Sequence, residues 1–219
     1  MIVLSEDEVR ELLDLDALVD ALAAAHRDLS EGKASMPPRI AALAEQGGLL
    51  GAMPAYLPGA GLAVKLVSLF PRNRDRNTHQ AAIMVFDHAN GTPVALMDGS
   101  YITATRTAAA SALATRLLAR EDARTLAIVG TGVQARSHAR ALVRVRDFEE
   151  VRVAGRDPGR VGAFAAELVA GASPGRTGQD EITLYKSVGV AVEDAAAAAL
   201  VLRAAGERGV GLEIQLEEL

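Results

Sequence analysis

The residues best suited to chemistry lie in the run TLAIVGTGVQARSHA, positions 125 to 139. A short apolar segment leads into Gly130, Gly132 and Ala135, the spacing G-x-G-x-x-[G/A], and a helical pattern follows. Each position has a physical task. Gly130 permits a tight turn out of a strand, Gly132 leaves room for a pyrophosphate to reach the amides of the helix N-terminus, and Ala135 lets the helix pack closely on the strand. Thr131, Val133 and Gln134 complete the lining of the turn. The chemistry implied is dinucleotide binding, and the bland alternative is a tight strand-helix turn in an α/β core. Farther on, a second apolar run ends in Gly155-Arg156-Asp157. A guanidinium there suits the extra phosphate of NADP, whereas Asp157 suits the ribose hydroxyls of NAD or caps the next helix. The preference leans to NADP.

The elements that must position this loop follow from periodicity. Residues 125–130 are expected as a buried strand, 133–146 as a helix, 150–155 as a second strand and 158–169 as a second helix, the opening of a parallel doubly wound sheet. After a turn-rich linker, EITLYKSV is expected as a third strand and VEDAAAAALVLRAAGERG as a final helix. At the other end, Ser5 and Glu8 form a capping box for a short helix to Leu13. Leu15, Leu18, Val19, Leu22 and Leu29 line one face of a second helix, with Gly32 as its C-terminal cap. From Pro37 to Gly99, apolar runs broken by Gly and Pro predict antiparallel strands, with a tight hairpin at Asn90-Gly91. Thr103 or Thr105 is expected to cap the alanine-rich helix that follows.

Composition narrows the function. The chain has 219 residues, half of them hydrophobic and 23% charged, enough to bury a core without staples. It has no cysteine, which removes disulfides, thiolate nucleophiles and cysteine-based zinc sites. The four histidines have no metal-ligand spacing, so no metal is expected. A net charge of −5 with three Tyr, four Phe and no Trp argues against a nucleic-acid partner. The N-terminal residues turn acidic after Leu4 and no run reaches membrane-spanning length, so a cytoplasmic protein that binds small molecules is expected.

The chain resembles the ornithine cyclodeaminase and mu-crystallin family. The likeness is carried by MPPR at 36–39, GAMPAYLP at 51–58, AVKLVSLFPRN at 63–73, THQAAIMVFD at 78–87, NGTPVALMDGSYITATRTAAASALA at 90–114, IVGTGVQA at 128–135 and GRTGQDEITLYKSVGVAVEDAAAA at 175–198. It implies an α/β protein of two domains. The first, residues 1–118 with 190–219 returning to it, is a mixed sheet with helices for substrate binding and dimerisation; residues 119–189 form a shortened Rossmann-like nucleotide domain. It also implies a homodimer, NAD or NADP, and hydride exchange at the carbon beside the carboxylate of a small amino or imino acid.

By the same resemblance, Arg39, Lys65 and Arg106 clamp the substrate carboxylate, and Lys65 donates a proton to the imino nitrogen. Ser187 and Gly189 fall near the nicotinamide. Taken singly, Lys65 reads as a snorkelling strand residue, Arg39 as a loop charge and Arg106 as a helix-face charge. Arg72, Arg74 and Arg76 read as a solvated loop, and His79 as a structural hydrogen-bonder. Two departures from the family pattern stand out. Ornithine-cyclising members carry a glutamate before the Met-Pro pair, where this chain has Gly51-Ala52-Met53-Pro54, which favours an alanine-dehydrogenase or imine-reductase type of reaction. Relatives are also longer, the extra chain falling between Leu168 and Pro174. It would carry a crevice strand and the general-base aspartate, so weak cofactor binding and little turnover are expected. The alternative function is a binding or dimerisation module with a degenerate nucleotide half.

Overall fold

The computed structural model describes residues 1–169 and 189–215, which divide into two compact units. The first comprises Met1–Arg106 and Gly189–Leu219, the second Thr107–Val188. Among the described residues the first unit is built on a 7-stranded sheet. Its strands are β1 (Ile2–Leu4), β2 (Ile40–Leu43), β3 (Leu49–Leu57), β4 (Gly61–Leu69), β5 (His79–Phe86), β6 (Pro93–Asp98) and β9 (Leu212–Glu213). They lie in the order β2-β3-β4-β5-β6-β1-β9. Most neighbours are antiparallel, but β1 runs parallel to β6, which makes the sheet mixed. Sequence periodicity misses β1 and β9, because two or three residues are too few to show alternation.

Helices α1 (Glu6–Leu12), α2 (Leu15–Ser30) and α6 (Ala191–Arg208) complete this unit. The capping box forms as expected: the Ser5 hydroxyl accepts from the Glu8 amide, and the Ser5 amide donates to the Glu8 carboxylate. Leu18, Val19, Leu22 and Ala25 are the buried face of α2. Gly32, at φ 72°, turns the chain just after it. Helix α6 packs on α1, α2 and strands β3 to β5. From Ala191 to Ala198 every residue is buried, so the last helix in the chain is the centre of the first unit. Its alanines allow that, since small side chains let a helix sit against neighbours on several sides. Gly209 ends it in the left-handed conformation at φ 63°.

Two local expectations need correction. Strands β5 and β6 are joined not by a two-residue turn but by a wider loop, closed by the Asp87 amide donating to the Thr92 carbonyl. The Asp87 carboxylate accepts from the Ala89 amide and the Asn90 side chain, so the aspartate organises the loop and Gly91 supplies one positive φ within it. Neither Thr103 nor Thr105 caps the next helix. Helix α3 (Ser100–Leu118) starts earlier, and Asp98 Oδ1 accepts from the Tyr101 amide at 2.8 Å. An aspartate before the first turn outcompetes threonines already inside the helix.

The second unit contains β7 (Thr125–Val129), α4 (Val133–Leu142), β8 (Glu150–Ala154) and α5 (Pro158–Val169). Strands β7 and β8 pair in parallel from Thr125↔Glu150 to Val129↔Ala154, as a βαβα unit requires. Ile128, Ala135, Ala139 and Phe164 form its core, joined by Leu126, Val151 and Val153. The expected strand EITLYKSV and Ser187 lie outside the described residues.

Candidate functional site

Lys65 sits in the middle of β4, its neighbours across the ladder being Met53 on β3 and Ile83 on β5. Alternation turns it to the helix-covered face, where it is 2% exposed. It does not snorkel. Its Nζ lies 2.7 Å from Asp194 Oδ2 in the first turn of α6, an ion pair rather than a well-aligned hydrogen bond. Arg106, on α3 and 4% exposed, shares that acid: its Nε donates to Asp194 Oδ1 at 2.9 Å. Its Nη1 donates to Glu193 Oε2 at 2.8 Å, and Glu193 Oε1 faces His26 Nε2 at 3.2 Å. Arg39 lies exposed just before β2, and its Nη2 donates to the Gly189 carbonyl at 3.2 Å.

Gly189 connects the two arginines. Its φ is +68°, and a Cβ placed there would lie 2.6 Å from Arg106 Cζ. Only a residue without a side chain leaves room for the guanidinium. The structure thus links Lys65 to Arg106 through Asp194, and Arg106 to Arg39 through Gly189. Glu193 and Asp194 carry no chemical signal in sequence beyond one oddity: an acidic pair followed directly by a run of alanine and aliphatic residues, 195–202. Helix N-termini favour acids, so the pair also reads as ordinary dipole compensation.

Burial pushes the Lys65 ammonium below the usual lysine range; Asp194 opposes that push and Arg106 adds to it. Burial pushes Glu193 upward, but His26 and Arg106 outweigh it and leave the carboxyl below the usual glutamate range. His79, at the start of β5, is held below the usual imidazole range by burial and then by the Lys65 charge. Arg72, Arg74 and Arg76 are exposed. Among the described residues no group of three His, Cys, Asp or Glu could hold a metal ion, and no helix is long and apolar enough to cross a membrane.

In the second unit Gly130 takes φ 122°, a conformation that L side chains rarely adopt, and donates its amide to the Ala154 carbonyl at 2.7 Å. Among the described residues a Cβ at Gly130 or Gly132 would meet nothing within 4 Å, so those residues leave the space above the loop open. Gly132 is the N-cap of α4 and offers no side chain to its amides, which stay available to an anion. Val133 is exposed, Thr131 and Gln134 border the loop, and Ala135 is buried against the strand. The residues present therefore fit a dinucleotide pyrophosphate. Asp157 caps α5, accepting from the Arg160 amide at 3.1 Å, while Arg156 is exposed beside it. Beneath the loop, His138 Nδ1 faces the Gln134 carbonyl at 2.7 Å and Nε2 faces Ser111 Oγ at 2.8 Å. A carbonyl can only accept, so Nδ1 carries the proton, and the single Ser111 hydroxyl hydrogen is shared between His138 Nε2 and the Thr107 carbonyl 3.1 Å away.

The family model for "Ornithine cyclodeaminase/mu-crystallin family" matches residues 1–170 and 165–208. The chain belongs to that family. Its two matched stretches overlap at 165–170, next to the interval from Leu168 to Pro174 where the sequence places the shortening. Among relatives, Delta(1)-pyrroline-2-carboxylate reductase of Bacillus cereus is 37% identical over 139 residues, 61% of this chain and 42% of its own length. Ketimine reductase mu-crystallin of Rattus norvegicus is 40% identical over 139 residues, 60% of this chain and 44% of its own. The chain thus spans less than half the length of these curated relatives. In three dimensions it resembles Thermococcus litoralis Delta(1)-pyrroline-2-carboxylate reductase in complex with NADH and L-proline. That match has TM-score 0.87 and 28% identity, covering 98% of this chain and 100% of the other. The mixed α/β fold with a Rossmann-like unit is the fold of this family.

Proposed function

We propose that this family chain holds a small imino or amino acid by its carboxylate and a nicotinamide dinucleotide by its pyrophosphate, as an oxidoreductase exchanging hydride at the carbon beside that carboxylate. The observation that carries the reading is a charge balance. Arg39, Lys65 and Arg106 bring three positive charges, and Glu193 and Asp194 bring two negative ones. The excess among these five groups is one positive charge, to which His26 adds whenever it is protonated, so the cluster complements an anion such as a carboxylate. Lys65 has three N–H donors and Arg106 has five, so both keep donors beyond those given to Asp194 and Glu193. Guanidinium donors fix a carboxylate in orientation as well as place.

Lys65 is the proton donor to the imino nitrogen in this reading. Its lowered pKa brings it nearer the operating range of a general acid, and Asp194 keeps it charged. The dinucleotide supplies the hydride when bound; Gly130, Thr131, Gly132, Val133 and Gln134 would hold its pyrophosphate, and Ser187 and Gly189 are proposed from the family resemblance to lie near its ring. For Gly189 the bond from Arg39 and the packing on Arg106 favour a second task in the clamp. Arg156, exposed at the end of β8, favours NADP, while Asp157 is engaged as a helix cap. The two relatives named as reductases favour imine reduction, and Gly51-Ala52 before Met53 weighs against ornithine cyclisation.

A homodimer is proposed from the sheet's outer face. Leu50, Leu62 and Leu66 on β3 and β4 are 52%, 40% and 41% exposed, and Ile40 on β2, in the same cross-strand row as Leu66, is 70% exposed. One observation favours a second reading, a binding module without turnover: among the described residues β7 has β8 alone as ladder partner. The deciding experiment mixes the purified chain with NADH or NADPH and follows nicotinamide fluorescence, then absorbance loss on adding Δ1-pyrroline-2-carboxylate. Oxidation of the cofactor supports the oxidoreductase; binding of both ligands without oxidation supports the module; no binding of either overturns both.

A further inference from the structure

Two adjacent acids in the first turn of α6 are almost wholly withdrawn from water, Glu193 at 3% and Asp194 at 2% exposure. Burying a carboxylate costs several kcal/mol unless partners are placed to meet it. Here the partners come from three other elements: Lys65 from β4, Arg106 from α3 and His26 from α2. Helix-end electrostatics alone does not call for this, since a dipole-compensating acid needs only the exposed first turn. The arrangement also does more than neutralise. Asp194 gives one oxygen to each cation and so sets the spacing between Lys65 and Arg106. Glu193 takes a second donor of Arg106, so the guanidinium plane is fixed at two points and cannot rotate about its long side chain. Glu193 Oε2 also accepts from the Val190 amide at 3.4 Å, which ties the same carboxylate to the backbone beside Gly189.

We propose that Asp194 and Glu193 are the positioning residues of the carboxylate clamp, Asp194 spacing Lys65 and Arg106 and Glu193 locking the Arg106 guanidinium, with Gly189 as the gap that lets Arg39 join them. This rests on the carboxylate reading above. Other titratable groups bearing on the cluster are His26 from α2 and His79 from β5, whose charges couple to Glu193 and to Lys65 respectively.

The test uses the full chain and two readouts. The chain has three lysines, Lys33, Lys65 and Lys186, so isotope-labelled lysine gives a resolvable NMR titration for each. In Asp194→Asn, burial of Lys65 is no longer opposed by a paired carboxylate, and Lys65 should titrate at lower pH than in the parent. Calorimetry with L-proline in the presence of NADH should show affinity falling about tenfold or more. Glu193→Gln should weaken L-proline without moving Lys65 as far, and Asp194→Glu should restore part of both signals. A folded Asp194→Asn with unaltered Lys65 titration and L-proline affinity overturns the proposal. Should the parent bind no L-proline, the carboxylate reading fails on its own, and the Lys65 titration alone judges whether Asp194 positions the lysine. Should Asp194→Asn not fold, the parent decides: Lys65 Nζ and Asp194 Cγ must each report the other's change of charge, and independent titrations overturn the proposal.

Discussion

Arg106 reaches two different carboxylates from one planar group, which lysine cannot imitate. Arg106→Lys should therefore lose at least one charged hydrogen bond and about 1.5–3 kcal/mol of stability, read from urea unfolding. An unchanged midpoint would show that the two contacts add nothing. The imidazole of His138 gives a pH prediction. Burial lowers its pKa, and the Gln134 carbonyl opposes this only in part. The unfolded chain takes up the proton first as pH falls, so the stability that neutral His138 contributes is complete above the ordinary imidazole range and is lost as pH drops through the lowered folded value. Thermal melts of the parent should weaken on acidification below the usual histidine range, and His138→Gln should flatten that slope. A slope identical in both would remove His138 from the account.

At the scale of elements, two glycines should respond in opposite ways. Gly189→Ala puts a methyl against a guanidinium already pinned by two acids and forces a left-handed backbone on alanine. It should cost about 1–3 kcal/mol and weaken carboxylate binding. Gly132 has an ordinary φ of −87° and open space where a Cβ would go. Gly132→Val should cost no more than about 1 kcal/mol of stability, the loss of a poorer N-cap, yet abolish NADH binding in a fluorescence titration; retained binding would show that the loop is only a turn. The βαβα order around that loop was legible in sequence because strand, glycines and helix each leave a local signature. The partners of Lys65 were not. Asp194 and Glu193 lie far along the chain from Lys65 and Arg106, and no local pattern records which distant strand a helix will cover. Asp98 was passed over as a cap because two threonines farther on offered the same chemistry, and the contest is settled by where β6 ends. The surroundings of Lys65 and Arg106 belong to topology and not to spacing.

The whole molecule carries a sheet with apolar side chains on both faces, one covered by helices and the other open. A second copy set against β3 and β4 would cover the open face. Leu66→Asp should then turn a dimer into a monomer in light scattering, with little change in the unit's own fold; a dimer that persists would place the contact elsewhere. The central place of α6 has a further outcome, in the order of synthesis. Chains emerge from the ribosome N-terminal end first, and by the time Arg106 is made the sheet of the first unit is complete except for β9, but its inner face, with Lys65 at the middle, still lacks α6, which packs on β3 to β5. The acids that neutralise Lys65 and Arg106 arrive only with residues 193 and 194. Through that interval the nascent chain exposes a wide apolar surface around two uncompensated cations, a state suited to chaperone capture. Ribosome-bound chains stalled before α6 should therefore be protease-sensitive across β3 to β5, and chains stalled well after Arg208 should be protected.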